Sequence, residues 1–202
     1  MNSIFVTGIG TDVGKTIVSA ILVEKLNADY WKPIQSGDLD NSDTQKVQRL
    51  TSNSWSEFHP EAYRLTQPFS PHKSAALDGI EIDLENIHKP ETTNSLIIEG
   101  AGGLMVPLNS KKLIIDLIQQ LNSEVILVVK NYLGSINHTL LSIELLKQRN
   151  IPLKGIIFSG ETDHDSEEFI KNYSGVKVLG TIPLLADLNK EAISKVALAI
   201  QV

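Results

Sequence analysis

Gly8-Ile9-Gly10-Thr11-Asp12-Val13-Gly14-Lys15-Thr16 lies between a short apolar run, Ile4-Phe5-Val6, and a segment from Lys15 to Leu26 in which Ile17, Ile21 and Leu26 recur at helical spacing. A strand, a glycine-rich turn and a helix start, in that order, make an anion cradle. Glycines let successive backbone N–H groups face one anion, and the helix N-terminus adds its partial positive charge. In such a loop Lys15 is expected to reach the β- and γ-phosphates of a nucleotide, and the Thr16 hydroxyl to ligate Mg²⁺. The general pattern G-x-x-x-x-G-K-[ST] would begin at Ile9, whereas the preceding glycine is Gly8, so the loop is a longer variant.

The same alternation continues outward. Tyr30-Trp31-Lys32 reads as a short strand ending at Pro33. Ser95 to Ile98, closed by Glu99, Val125 to Val129, Gly155 to Phe158 and Val176 to Leu179 read as further strands. Leu113, Ile114, Leu117, Ile118 and Leu121 form a helix face, and His138 to Gln148 and Glu191 to Ile200 read as helices. Residues 38–93 are polar and rich in proline, which predicts loops and short helices. Fully apolar strands alternating with helices predict an α/β fold of the P-loop NTPase type, a mostly parallel sheet covered by helices on both faces. Sites in such sheets form at the carboxyl ends of the strands.

The 202 residues fit a single domain spanning 1–202, and 42% apolar content suffices for a sizeable core. Eighteen basic against 24 acidic residues give a net charge of −6, with no basic run, which argues against a nucleic acid or an anionic membrane as partner. No cysteine is present, so disulfides and Cys-ligated zinc are excluded. Without a signal-like or membrane-spanning stretch the expected location is cytoplasmic.

Three more residues carry chemistry. Glu99 ends an apolar run and precedes Gly100-Ala101-Gly102-Gly103, a position suited to a metal beside the γ-phosphate. Asp43, in Asn41-Ser42-Asp43, is a second carboxylate; those residue types also suit a helix N-cap. Lys32 follows an aromatic strand and could clamp a phosphoryl group together with Lys15, or could be an edge lysine with a solvated head. The remaining histidines show no ligand spacing; Trp31 is expected in the core, and Trp55 is expected to pack a loop.

Taken in order, Thr7-Gly8 through Thr16, Lys32-Pro33-Ile34-Gln35-Ser36-Gly37, Asn41-Ser42-Asp43, Ser70-Pro71-His72, Glu99-Gly100-Ala101-Gly102-Gly103 and Leu133-Gly134-Ser135-Ile136-Asn137-His138 resemble the motifs of dethiobiotin synthetases, over residues 4 to about 185. The resemblance implies ATP- and Mg²⁺-dependent conversion of 7,8-diaminopelargonate and CO₂ (or bicarbonate) into a cyclic urea, through a carbamate and a carbamic-phosphoric anhydride. It implies Lys32 and Lys15 as catalytic groups and Thr16, Asp43 and Glu99 as Mg²⁺ ligands. Asp12, Val13, Gly14, Lys15, Thr16 and Ile17 would cradle the triphosphate, with Asp43, Glu99, Gly100, Ala101 and Gly102 beside it. Thr11 and Ser36 would contact substrate. Gly134, Ser135 and Asn137 would hold the substrate carboxylate from the other subunit of a homodimer. From spacing alone, Leu133 to His138 reads as a plain strand-to-helix connection with Asn137 as its cap. Ser159 stands where the family often carries an adenine-reading asparagine, which points to Pro183 and Asp187 for the remaining nucleoside contacts.

Three other classes compete. A partitioning or positioning ATPase would carry an extra lysine early in the loop, where this chain has Gly8-Ile9-Gly10. A non-catalytic nucleotide-sensing module would explain the loop but not Lys32 and Ser36 together. A cobalamin-type amidoligase usually brings a nucleophilic cysteine, and this chain has none.

Overall fold

The computed structural model describes residues 2–202. In chain order the elements are β1 (Ser3–Gly8), α1 (Lys15–Leu26), β2 (Asp29–Trp31), β3 (Ile34–Ser36), α2 (Asp43–Leu50), β4 (Phe58–His59), β5 (Tyr63–Leu65), α3 (Pro71–Leu77), β6 (Leu96–Gly103), α4 (Ile114–Leu121), β7 (Glu124–Lys130), α5 (Ser135–Gln148), β8 (Leu153–Ser159), α6 (His164–Ser174), β9 (Val178–Ile182) and α7 (Lys190–Ala197). Seven strands form one sheet in the order β4-β2-β6-β1-β7-β8-β9, every pairing parallel. β3 and β5 make a separate two-stranded parallel pair.

Both faces of the sheet are covered, which is why its strands read as unbroken apolar runs. Ile4 and Val6 of β1 pack with Val18, Ile21 and Leu22 of α1, Val47 of α2 and Ile193 of α7. Phe5, between them, points to the opposite face with Ile114, Ile115 and Ile118 of α4. Each such fully buried side chain contributes about 1.5–3 kcal/mol. The expected parallel α/β architecture is present, and Trp31 is buried in it.

Several details differ from expectation. β6 is not closed by Glu99; it continues to Gly103, still paired with β1 at Gly8. The glycines make this possible, since a Cβ at Gly100 would lie 2.7 Å from the Phe5 ring. α5 starts at Ser135, three residues before His138, with Gly134 at its cap position (φ 106°), so Asn137 lies inside the first turn and is not the cap. β9 begins at Val178 and α7 ends at Ala197. The 38–93 region contains β4 and β5 as well as the expected short helices. α6 escaped notice because it buries only Ile170. Trp55 packs no loop, being 75% exposed.

β1 is central, flanked by β6 on one side and β7 on the other. The chain runs first from β1 to the β2 side and later crosses from β6 past β1 to β7, and a crevice opens at the carboxyl ends of the strands at that crossing.

Candidate functional site

That crevice holds a cavity of about 830 Å³ lined by the loop before α1, the start of α1, β3, α2, the 68–71 segment and the end of β6. The loop turns sharply at Gly14 (φ 96°), which caps α1 without any side-chain hydrogen bond, so the first N–H groups of α1 stay available to an anion. No residue with a Cβ fits there: that atom would lie 2.5 Å from Ser159 Oγ. Lys15 folds back over the loop, its Nζ donating to the Gly10 carbonyl at 2.9 Å.

Glu99 is the hub, with 1% of its surface exposed. Its Oε1 accepts from Thr16 Oγ1 at 2.9 Å and from Lys32 Nζ at 3.1 Å; its Oε2 accepts from the Tyr30 hydroxyl at 2.9 Å. Lys32, itself 5% exposed, also donates to Asp43 Oδ2 at 2.7 Å. Lys46 holds the other Asp43 oxygen at 3.3 Å and Asp38 at 2.7 Å. Asp43 is free for this role because Ser42, not Asp43, caps α2, in a capping box with Gln45.

Burial and charge set the protonation of this cluster. Desolvation pulls Lys15 down to about 8, opposed by Glu99 and reinforced by Lys32. Burial also works against charged Lys32, but Glu99 and Asp43 outweigh it and raise its pKa above the usual lysine value. Burial pushes Asp43 up, and Lys32 and Lys46 overcome this to hold it below the usual carboxylate range. The Tyr30 phenol is pushed well up by burial and by Glu99, so it stays a hydrogen-bond donor.

The donor set suits a hard dication. Thr16 gives its proton to Glu99, which leaves the hydroxyl lone pairs free, and two carboxylates stand beside it. Ser36 Oγ is buried on the cavity wall and makes no hydrogen bond among the described residues.

Of the residues singled out above, Thr11, Asp12, Gly14, Lys15, Thr16, Ile17, Lys32, Ser36, Asp43, Glu99, Ala101 and Gly102 line this one cavity. Val13 is buried in the core, leaving only its backbone to the loop, and Gly100 is buried against Phe5. Ser159 abuts the loop at Gly14 from β8 without lining the cavity. Pro183 and Asp187 lie exposed beyond β9, outside it. Gly134, Ser135 and Asn137 also lie outside it, and Ser135 is buried at the start of α5. Lys32 is no edge lysine with a solvated head. Tyr30, Lys46 and Gln35 were missed: Tyr30 reads as core, and the other two as ordinary polar residues. Gln35 accepts from the Asp43 backbone N–H at 3.3 Å and so ties β3 to α2.

Known proteins place this geometry in context. A family profile described as an AAA domain matches residues 2–192. A protein of Christiangramia forsetii named ATP-dependent dethiobiotin synthetase BioD is 59% identical, covering 89% of this chain and 86% of that protein. Proteins of the same name from Cytophaga hutchinsonii (49% identity, 98% of this chain, 96% of that one) and Brucella ovis (50%, 95% and 91%) are similar over nearly their whole length. Among solved structures, a ParA family ATPase from Chlorobium tepidum superposes with a TM-score of 0.59 at 14% identity, covering 98% of both chains. The cell division ATPase MinD of Pyrococcus furiosus gives 0.52 at 14% identity, again over 98% of each chain. At that identity the two structures share the fold alone with this chain.

Proposed function

Because this chain belongs to the ATP-dependent dethiobiotin synthetase family, we propose that its strand-end cavity closes the cyclic urea of dethiobiotin from 7,8-diaminopelargonate and CO₂, with Lys15 and Lys32 serving the phosphoryl group in transfer. The activity is that of an ATP-dependent cyclo-ligase; the alternatives of a partitioning ATPase or a nucleotide sensor are not favoured. The observation that carries the assignment of the site is the convergence of Lys15, Lys32, Thr16, Asp43, Glu99 and Ser36 on one cavity.

In this reading one amine of the substrate adds to CO₂ and loses a proton, giving a carbamate. Ser36, with its unpaired hydroxyl, and Lys32 hold that anion in line with the γ-phosphate. The N–H groups at the start of α1 and Lys15 hold the triphosphate, and the two ammonium groups stabilise charge on the equatorial oxygens as the phosphoryl group passes to the carbamate oxygen. The second amine then attacks the carbonyl carbon, the C–O bond to phosphate breaks, and a proton leaves with ring closure. Proximity dominates this last step, because the anhydride would otherwise hydrolyse. Thr16, Asp43 and Glu99 would hold Mg²⁺, whose charge neutralises the β- and γ-phosphates when bound.

The decisive measurement is ADP release: the diamine and bicarbonate together should stimulate it, with little effect from either alone. Equal rates without the diamine would overturn the assignment.

The titration of Lys15 gives a second expected result. Its value of about 8 lies below the 10.5 of an unperturbed lysine. The unfolded chain therefore binds the extra proton between those values, and stability rises with pH across that window. Below pH 8 the full burial penalty, on the order of 3 kcal/mol, is present. Nucleotide phosphate requires the charged form. ADP affinity should hold steady up to about pH 8 and then fall about tenfold per pH unit, with uptake of about one proton at pH 9 by titration calorimetry in two buffers. A flat affinity from pH 7 to 9 would assign the phosphate contact to another group.

The functional unit is proposed to be a homodimer in which Gly134, Ser135 and Asn137 of a second copy complete the substrate site. In support, Leu133 is 104% exposed, and Tyr132 and Leu141 on the same stretch are exposed apolar residues. Leu133→Glu is expected to give monomers by light scattering and about 10²-fold slower turnover. A dimer that persists in this variant would move the interface elsewhere. Among the described residues no helix is long and apolar enough to cross a membrane, and we place the enzyme in the cytoplasm.

A further inference from the structure

Resting on the reading above, we propose that the Lys32 ammonium and a divalent cation are mutually exclusive partners of Asp43 and Glu99, so that Lys32 turns to the transferring group only when those carboxylates hold the cation.

The geometry divides the four carboxylate oxygens into two tethered and two shared. Asp43 Oδ1 is held by Lys46 at 3.3 Å, and Glu99 Oε2 by the Tyr30 hydroxyl at 2.9 Å. The other two oxygens, Asp43 Oδ2 and Glu99 Oε1, both face Lys32 Nζ, at 2.7 and 3.1 Å. Thr16 adds its hydroxyl on the same Glu99 oxygen. The ammonium thus sits among the three side chains that would ligate the metal. A hard dication bonds carboxylate oxygen at about 2.0–2.1 Å. An ammonium in hydrogen-bond contact with those same oxygens would face it at close range in a buried site, where like-charge repulsion is poorly screened.

Lys32 has somewhere to go. Its stem is flexible, and its residue lines the same cavity as Ser36. The carboxylates do not follow it, because Lys46 and Tyr30 keep hold of their far oxygens. The exchange therefore moves one cation and leaves the anionic pair in place. It also couples two requirements: the catalytic ammonium becomes available only when a metal-borne phosphoryl donor is in position.

The test is binding of Mn²⁺ alone, read from the free-ion electron paramagnetic resonance signal. Lys32→Met is expected to bind Mn²⁺ at least tenfold more tightly than the parent protein, and Lys32→Met combined with Asp43→Asn to lose that gain. Unchanged or weaker binding in Lys32→Met would overturn the exclusion. A second readout leaves Lys32 in place: in ¹⁵N-lysine-labelled parent protein without metal, its shielded ammonium should give a slowly exchanging NMR correlation. That correlation should move or vanish with Mg²⁺ and ADP, and an unmoved signal would overturn the proposal. Its assignment comes from its loss in Lys32→Met or, if that variant does not fold, in Lys32→Arg. Dethiobiotin formation by the parent protein is measured alongside. Product without competition removes only the exclusion, whereas absence of product removes the functional reading and leaves the metal data to stand by themselves.

Discussion

Lys32→Ala is expected to slow dethiobiotin formation by about 10³-fold or more, while ADP binds within a few-fold of its parent affinity. The separation follows from geometry. Lys15 reaches over the phosphate loop to the Gly10 carbonyl, whereas Lys32 lies across the cavity between Asp43 and Glu99. Loss of Lys32 removes a cation from the transferring group and leaves the loop intact. It also leaves the buried Glu99 without its counter-charge and the half-buried Asp43 with Lys46 alone, so a stability loss of roughly 3–5 kcal/mol should accompany it. Turnover is therefore measured at saturating substrates on protein verified as folded by urea titration. A rate within tenfold of the parent would remove Lys32 from the chemistry.

Glu99→Ala should be at least as damaging, for a different reason. One side chain accepts from Thr16, Tyr30 and Lys32 together; its removal strands the two hydroxyls and takes one of two counter-charges from the buried Lys32 ammonium, which keeps only Asp43. Destabilisation of about 3–5 kcal/mol and at least a 10³-fold loss of turnover are expected. Glu99→Gln separates the two contributions. The amide oxygen can still accept from Thr16, so much of the stability should return, but the anionic charge does not, and the Mg²⁺ concentration needed for turnover should stay raised. Because Lys32 and Glu99 share one ion pair, the double variant Lys32→Met, Glu99→Gln should cost far less stability than the sum of its parts. Additive losses would mean that the two residues act independently.

How far these features could be read from the chain alone depended on how local their causes are. The phosphate loop is contiguous: glycines, Lys15 and Thr16 occupy one turn, so its shape follows from neighbouring residues. Lys32 and Glu99 were legible as polar residues next to apolar strands. Asp43 was ambiguous because Asn41, Ser42 and Asp43 can all cap a helix, and only the fold shows that Ser42 takes the cap. Tyr30 was hidden because a tyrosine in an apolar strand reads as core; only the sheet brings its hydroxyl against Glu99 from 69 positions away. The pairing of β3 with β5 joins two three-residue strands, too short to announce themselves by alternation. For Gly134, Ser135 and Asn137 the limit is different: they do not line the cavity of this chain, and only the homodimer proposed above would bring them to it.

The continuation of β6 past Glu99 to Gly103 has a consequence for how this scaffold can diversify. A carboxylate threaded through mid-strand, with glycines pinned against Phe5 and Gly8 on the neighbouring strand, cannot be relocated by lengthening or shortening a connection. The 66–70 segment and the 131–134 turn, by contrast, are surface connections open to insertion and drift. Descendants of this architecture are thus free to acquire new acceptors for the phosphoryl group by remodelling its rim, while the apparatus that handles the phosphoryl group is inherited nearly unaltered.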